Sequence, residues 1–289
     1  MLKKNSSEII FNKDLSIYHL GLNTEDFADD IILVGDPKRV SFVSKYFDKI
    51  EIQKSKREFI TNTGYIGKKR ISIISCGIGV DNVDIVINEL NILNSKKSDF
   101  KNTKRKLNFI KLGTCGSMSK KIDVNEIIFS KYCIGSDGII YYYIFDNSIL
   151  EKELIDKFIH FTKWNSKLAM PYAIKASEKL WKSLYSNNFR MGITLTTNSF
   201  YGGQGREFNV KLQHKNLIKN LSDLTYKKLK VLNFEMESSG IYSLSKIFNH
   251  NAISINVVLA NRVTNKFSNS PDKAIDNMIR SILGEIEKI

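Results

Sequence analysis

Apolar and polar residues along this chain follow two periods: short runs that predict strands, and stripes at i, i+3 and i+4 that predict helices. Ile31-Ile32-Leu33-Val34 is an unbroken apolar run of the kind that fills a strand covered on both faces, and Gly35-Asp36-Pro37 stops it. Val40 to Phe47 reads as a helix beyond that stop. Glu58 to Ile66 and Arg70 to Ser75 flank Gly67-Lys68-Lys69 and predict a hairpin. Val83, Ile87 and Leu90 share one helical face. Asn108 to Leu112 predicts a short buried strand running into the turn-like Gly113-Thr114-Cys115-Gly116-Ser117. Glu126 to Tyr132, Arg190 to Thr197 and Ile253 to Leu259 predict further strands, with helical stretches between them, among them the stripe of Ile241, Leu244 and Phe248. Ser270-Pro271 starts a closing helix, a hydroxyl at the N-cap with proline at the first helical position, and Ile275, Ile279, Ile282 and Ile286 give that helix its buried face.

Strand-like and helix-like stretches therefore alternate from end to end. The 3 prolines leave no linker to divide the chain, and no internal repeat is visible. The pattern predicts one α/β domain over residues 1–289, with 1–17 as an N-terminal extension and a mixed sheet carrying helices on both faces. Ligand sites in such sheets gather on loops beyond strand ends.

Length and composition narrow the class. At 289 residues, 42% hydrophobic and 26% charged, the chain can bury a large core and is not a disordered polymer. No apolar run nears the roughly 18 residues that span a bilayer. No apolar stretch follows Met1-Leu2-Lys3-Lys4, so no signal peptide and no membrane partner are expected. The 3 scattered cysteines, Cys76, Cys115 and Cys133, suit neither a disulfide framework nor a zinc cluster, and a cytoplasmic protein is expected. The net charge of +14 raises a nucleic-acid partner as an alternative. The lysines, however, spread along the whole chain, and the densest stretch, Lys96 to Lys106, reads as a solvated loop. No nucleic acid is expected.

Several motifs could carry chemistry. Gly35-Asp36-Pro37-Lys38-Arg39 joins a glycine that lets an anion approach the backbone to a guanidinium fork suited to phosphate oxygens; a plain turn with a surface arginine is the alternative. Lys111-Leu112-Gly113-Thr114-Cys115-Gly116 offers backbone N–H groups and the Thr114 hydroxyl to an oxyanion. Gly77-Ile78-Gly79 opens like a dinucleotide fingerprint but has Asn82 where the third glycine belongs, so only close backbone approach remains. Phe200-Tyr201-Gly202-Gly203-Gln204-Gly205-Arg206 holds an aromatic, an amide and a guanidinium that could stack on a planar base and bond its edge, or form an unliganded loop. Asn233-Phe234-Glu235-Met236-Glu237-Ser238 opens the helix of Ile241; its two glutamates either compensate the helix dipole or grip a ribose, with Met236 against the sugar. His19, Arg57 and Arg262 are ambiguous alone.

Together these blocks resemble the uridine phosphorylase branch of the nucleoside phosphorylase family. The match runs from Tyr18-His19-Leu20-Gly21-Leu22 through Lys56-Arg57-Glu58-Phe59 to Asn261-Arg262, with every block in family order. The resemblance implies a twisted, barrel-like mixed sheet and subunits that pair to share active sites, commonly as hexamers. It implies phosphate on Gly35, Arg39 and Thr114, with Arg57 from a partner; ribose on Met236 and Glu237, with His19 from a partner; and uracil on Phe200, Gln204 and Arg206, supported by Arg262. Glu235 joins the ribose set as the second glutamate. Lys111 stands where the family usually has a phosphate-binding arginine, and weaker phosphate binding is expected, which Lys111→Arg would tighten. Asn198 stands where an aspartate is frequent.

Cleaving an N-glycosidic bond builds positive charge on the sugar and negative charge on the leaving base. Phosphate below C1′ answers the first and fixed donors at the base edge the second, so neither metal nor organic cofactor is expected. The small-molecule substrates implied are a nucleoside and phosphate. Purine-cleaving relatives place an aspartate after the late strand, whereas this chain reads Leu259-Ala260-Asn261-Arg262, so a pyrimidine is expected. A purine phosphorylase or a hydrolytic nucleosidase of the same fold are the alternatives.

Overall fold

The computed structural model describes residues 7–96, 105–186 and 188–289. Its strands are β1 (Asp30–Val34), β2 (Lys49–Lys56), β3 (Phe59–Ile66), β4 (Lys69–Ser75), β5 (Asn108–Ser117), β6 (Ile127–Gly135), β7 (Tyr172–Lys175), β8 (Arg190–Thr196), β9 (Thr225–Tyr226), β10 (Leu229–Glu235), β11 (Asn251–Asn261) and β12 (Lys266–Phe267). The helices are α1 (Lys38–Ser44), α2 (Val80–Lys96), α3 (Lys152–Thr162), α4 (Glu178–Leu184), α5 (Leu217–Leu221), α6 (Ser238–Ile247) and α7 (Pro271–Leu283).

Five strands close on themselves. β11 runs antiparallel to β6, β6 parallel to β8, β8 parallel to β10, β10 antiparallel to β5, and β5 parallel to β11 again. From β5 the sheet continues through parallel β1 and β4 into antiparallel β3 and β2. The mixed α/β barrel-like sheet expected from the sequence is thus the fold observed. β1 is buried at every residue, as an unbroken apolar run between two parallel neighbours must be. The main core packs α2, α6 and α7 against β1, β4, β5 and β11, and a second core lies under α3 and α5.

The hairpin between β3 and β4 forms with Ile66 opposite Lys69, one residue tighter than the sequence predicts. β2 went unread because its Ile50 and Ile52 alternate with polar residues on a mostly exposed strand. In α7, Pro271 takes the first turn as expected, but the Ser270 side chain makes no capping bond. Ile286 is buried on a separate 3-10 turn beyond Gly284 rather than on α7 itself. Most of the basic stretch 96–106 lies outside the described residues; near its end, Arg105 pairs with Asp29 at 2.5 Å. Ahead of β1, Phe11 bridges to Ile17 and packs on the core.

One correction moves a motif. Gly113 to Gly116 is not a turn after a strand but part of β5, with Gly113 opposite Asn256 and Thr114 opposite Val257 of β11. The glycines serve close approach: a Cβ on Gly113 would sit 2.4 Å from Asn256 Oδ1, and one on Gly116 would sit 2.6 Å from the Phe234 ring. Opposite them, β11 shifts register between Val258 and Ala260, a bulge that turns Leu259 toward the mouth of the barrel.

Candidate active site

A cavity of about 960 Å³ opens at this end of the barrel. The loop after β1, the hairpin tip between β2 and β3, the turn after β4, the end of β5, the 200–206 loop, the β10–α6 junction and the end of β11 all reach it. Of the residues singled out from the sequence, Gly35, Arg39, Lys111, Thr114, Phe200, Gln204, Arg206, Glu235, Met236, Glu237 and Arg262 line this one cavity. Chain positions 35 to 262 converge there because the parallel strands β1, β5 and β11 end at the cavity, and β10, which meets the end of β5 antiparallel, also brings its last residues to it.

Gly35, Arg39 and Thr114 all line this cavity. Arg39 sits in the first turn of α1, half-buried; burial lowers its pKa, while Asp36, Cys76 and Glu237 favour the charged form. Burial, with Glu237 nearby, pushes the Cys76 thiol up to about 12, so it is a neutral wall at neutral pH.

Lys111 points from β5 between two carboxylates. Its ammonium bonds Glu235, Glu237 Oε2 at 2.9 Å and Ser238 Oγ at 3.4 Å, and its side chain is 2% exposed. Burial works against its charge, but Glu235 and Glu237 outweigh burial and raise its pKa. Burial likewise opposes the charge on Glu235, yet Lys111 and the bond from Thr196 hold that carboxyl below its ordinary value.

Glu235 corrects a second expectation. It ends β10 instead of opening the helix, and its carboxylate accepts from Lys111, Thr196 Oγ1 and the backbone N–H groups of Glu237 and Ser238. It therefore caps α6 itself, leaving no lone pair for a sugar hydroxyl. Glu237, at the N-cap position, makes no capping bond. Its Oε1 accepts from the Gly79 N–H at 2.8 Å and its Oε2 from Lys111, so one acceptor site remains on each oxygen beside Met236. Of the Gly77-Ile78-Gly79 motif, which the sequence suggested could let a backbone approach a ligand, Gly77 and Ile78 line the cavity, while the Gly79 N–H is taken by Glu237.

Gln204 is 2% exposed. Its side-chain oxygen accepts from Arg206, whose guanidinium lies 3.7 Å above the Phe200 ring. Arg262 donates to the Gln204 and Gly205 carbonyls at 3.3 and 3.4 Å. Both guanidiniums also face the Phe234 ring, each at 5.6 Å. Burial and the Arg262 charge lower the Arg206 pKa, and burial lowers that of Arg262; both remain cations at neutral pH. Phe234 was not singled out in the sequence, although it lies within the motif quoted. Asn261 holds the loop beyond β11, donating to the Ser119 and Ile122 carbonyls and accepting from the Val263 and Thr264 N–H groups.

His19 and Arg57 do not line this cavity. Arg57 is exposed at the β2–β3 turn with φ +54°, its guanidinium 6.0 Å from the Tyr18 ring, and Tyr18 packs edge-on against His19. Glu89 on α2 accepts from the His19 backbone N–H at 3.0 Å and its Nδ1 at 2.7 Å. Glu89 escapes the sequence reading; an acid three residues after Val86 and four before Leu93, both buried on α2, is the available signal.

Among the described residues no helix is long and apolar enough to cross a membrane. Cys76, Cys115 and Cys133 are free and buried.

The chain is 30% identical over 256 residues to the uridine phosphorylase of Thermococcus kodakarensis, covering 89% of this chain and 81% of that protein. It is 27% identical over 275 residues to a DeoD-type purine nucleoside phosphorylase of a Thermoanaerobacter species, covering 92% and 97%. A Trypanosoma brucei nucleoside phosphorylase, described as showing uridine phosphorylase activity, superposes with a TM-score of 0.85 at 26% identity, covering 97% of this chain and 100% of that one. These relatives are pentosyltransferases, the enzyme class expected from the sequence. The family model of the phosphorylase superfamily matches residues 29–283, and with the closed barrel and its cavity the chain belongs to that superfamily.

Proposed function

We propose that this chain converts uridine and phosphate to uracil and ribose 1-phosphate. The observation that carries the reading is the base end of the cavity: Gln204, Arg206 and Arg262 gather there, and the acidic lining residues, Asp36, Glu58, Glu235 and Glu237, come from the other segments. Paired guanidiniums and an amide suit the carbonyl oxygens of a pyrimidine and the anion it becomes, whereas protonating a purine nitrogen calls for a carboxyl group.

Phosphate held by Gly35, Arg39 and Thr114 attacks C1′, and the C1′–N1 bond breaks with its electron pair passing to uracil. The proton of hydrogen phosphate is released as the base takes one up, so the reaction is proton-neutral. Glu237 and Met236 hold the ribose. Arg57 and His19 complete the site from a second copy, a reading supported by their place outside their own chain's cavity. A hexamer of such pairs in the cytoplasm, where free thiols persist, is the assembly we propose.

The test is base release from uridine and from inosine, each with and without phosphate. Phosphate-dependent uracil release is expected. Phosphate-independent release would make the enzyme a hydrolase, and preferential cleavage of inosine would overturn the pyrimidine assignment.

A further inference from the structure

We infer that Lys111 is a positioning residue of the sugar subsite rather than a phosphate ligand, and that phosphate is held without it, on Arg39 and a second copy's Arg57. The inference rests on the proposed phosphorolysis and concerns how its two subsites divide the charged residues.

An ammonium has three N–H bonds to give. Those of Lys111 meet Glu235, Glu237 and Ser238, so no donor is left for an incoming oxyanion. The cluster of one cation and two carboxylates keeps one net negative charge, which repels a phosphate dianion unless Arg39 or another cation stands between. The path of the lysine is also built in. It lies across Gly113, where a Cβ would come within 2.8 Å of Cε and 3.3 Å of Nζ.

The gain falls on Glu237. Lys111 at Oε2 and the Gly79 N–H at Oε1 hold its carboxylate from two sides, which fixes its plane. The remaining acceptor site on each oxygen then suits two neighbouring sugar hydroxyls. Glu235 supports the lysine and caps α6, tying the β10–α6 junction to β5. An arginine is the larger group and brings a planar fork to a slot shaped for one ammonium, so it does not restore a phosphate contact.

The experiment measures kcat and both KM values for Lys111→Met, Lys111→Met/Glu235→Gln, Lys111→Arg and Arg39→Met. The unmodified enzyme comes first, with whichever nucleoside it cleaves. If it cleaves none with phosphate, the functional reading fails; the outcomes below judge only the inference. The expected result for the Met variants is a nucleoside KM raised about tenfold or a comparable fall in kcat, with the phosphate KM within about threefold of wild type. Arg39→Met raises the phosphate KM about tenfold or more. The 2′-deoxynucleoside, with one hydroxyl fewer on Glu237, loses less than the ribonucleoside. The double variant keeps the cluster's net charge in case the single one fails to fold. If neither folds, Lys111→Arg decides, with an unchanged or raised phosphate KM expected. A phosphate KM raised tenfold in a Met variant with the nucleoside KM unchanged would overturn the inference, as would a phosphate KM clearly lowered by Lys111→Arg.

Discussion

Replacing Arg206 with methionine separates stabilising a leaving base from binding one. The guanidinium lies on the Phe200 ring and bonds the buried Gln204 side-chain oxygen, so the substitution removes two things. The first is a fixed positive charge where uracil becomes an anion. Loss of one such donor costs about 2.7–4 kcal/mol of transition-state stabilisation, a fall of roughly 10²–10³ in kcat. The second is the charged partner of an oxygen whose residue is 2% exposed, worth about 1–3 kcal/mol. That second loss is present in every state of the enzyme and is felt as stability, a fall of a few °C in Tm, not as rate. Relief of repulsion from Arg262, which contributes to the lowered Arg206 pKa, offsets part of it. The assay is uracil release under saturating phosphate, with uridine and 5-fluorouridine compared. Fluorine already stabilises the departing anion, so 5-fluorouridine should lose less than uridine. A kcat for uridine within about threefold of wild type, or equal losses for both nucleosides, would show that Arg206 does not meet the leaving charge.

Three further predictions follow from the same geometry. Glu235→Gln leaves Lys111 with Glu237 as its remaining carboxylate and weakens the α6 cap, and should cost about 1–3 kcal/mol in denaturant unfolding at pH 7; less than about 0.5 would contradict the buried pairing. Because Lys111 and Thr196 hold the Glu235 pKa below its unfolded value near 4.3, that stability is present above about pH 4.3 and is lost as pH falls through the lower folded value. The wild-type protein should therefore lose stability over that acid range more steeply than the Gln variant, and parallel curves would refute the assignment. Gly113→Ala drives a Cβ into Asn256 and the Lys111 stem and should cost about 1–3 kcal/mol in thermal unfolding, with the nucleoside KM rising as the lysine shifts; an unchanged Tm and KM would contradict it. Glu89→Gln replaces the carboxylate that accepts from His19 Nδ1 with a neutral amide and should raise the nucleoside KM about three- to tenfold while leaving the phosphate KM alone, provided His19 serves a neighbouring site; a phosphate-side effect would argue otherwise.

The main elements were legible because periodicity reports burial directly. The apolar run of β1, the hairpin around Gly67 and the stripes of α2 and α7 each declare a covered face. β2 was not legible, since an edge strand with mostly exposed residues carries no such mark. The motif from Gly113 to Gly116 misled for a related reason. Small residues in sequence suggest a turn, but in β5 they are clearance for Phe234, Asn256 and Lys111, which arrive from strands β10 and β11 and from β5 itself.

The site divides in the same way. The motifs, read together through the family resemblance, picked out eleven of the residues that line the cavity, while His19 and Arg57 lie outside it. How those groups pair was settled only by barrel closure. Lys111 and Glu235 stand 124 positions apart, and no local pattern states that β5 and β10 become neighbours. Once they do, the strongest demand on a buried ammonium is the nearest carboxylate, so Lys111 turns to Glu235 and Glu237 and Glu235 is consumed as a cap. The sequence alone marked the elements that cover a face and the polar groups set among them. The tertiary structure decided which charges neutralise one another and which still face the cavity, because Coulomb and desolvation energies depend on distances that only the closed sheet sets.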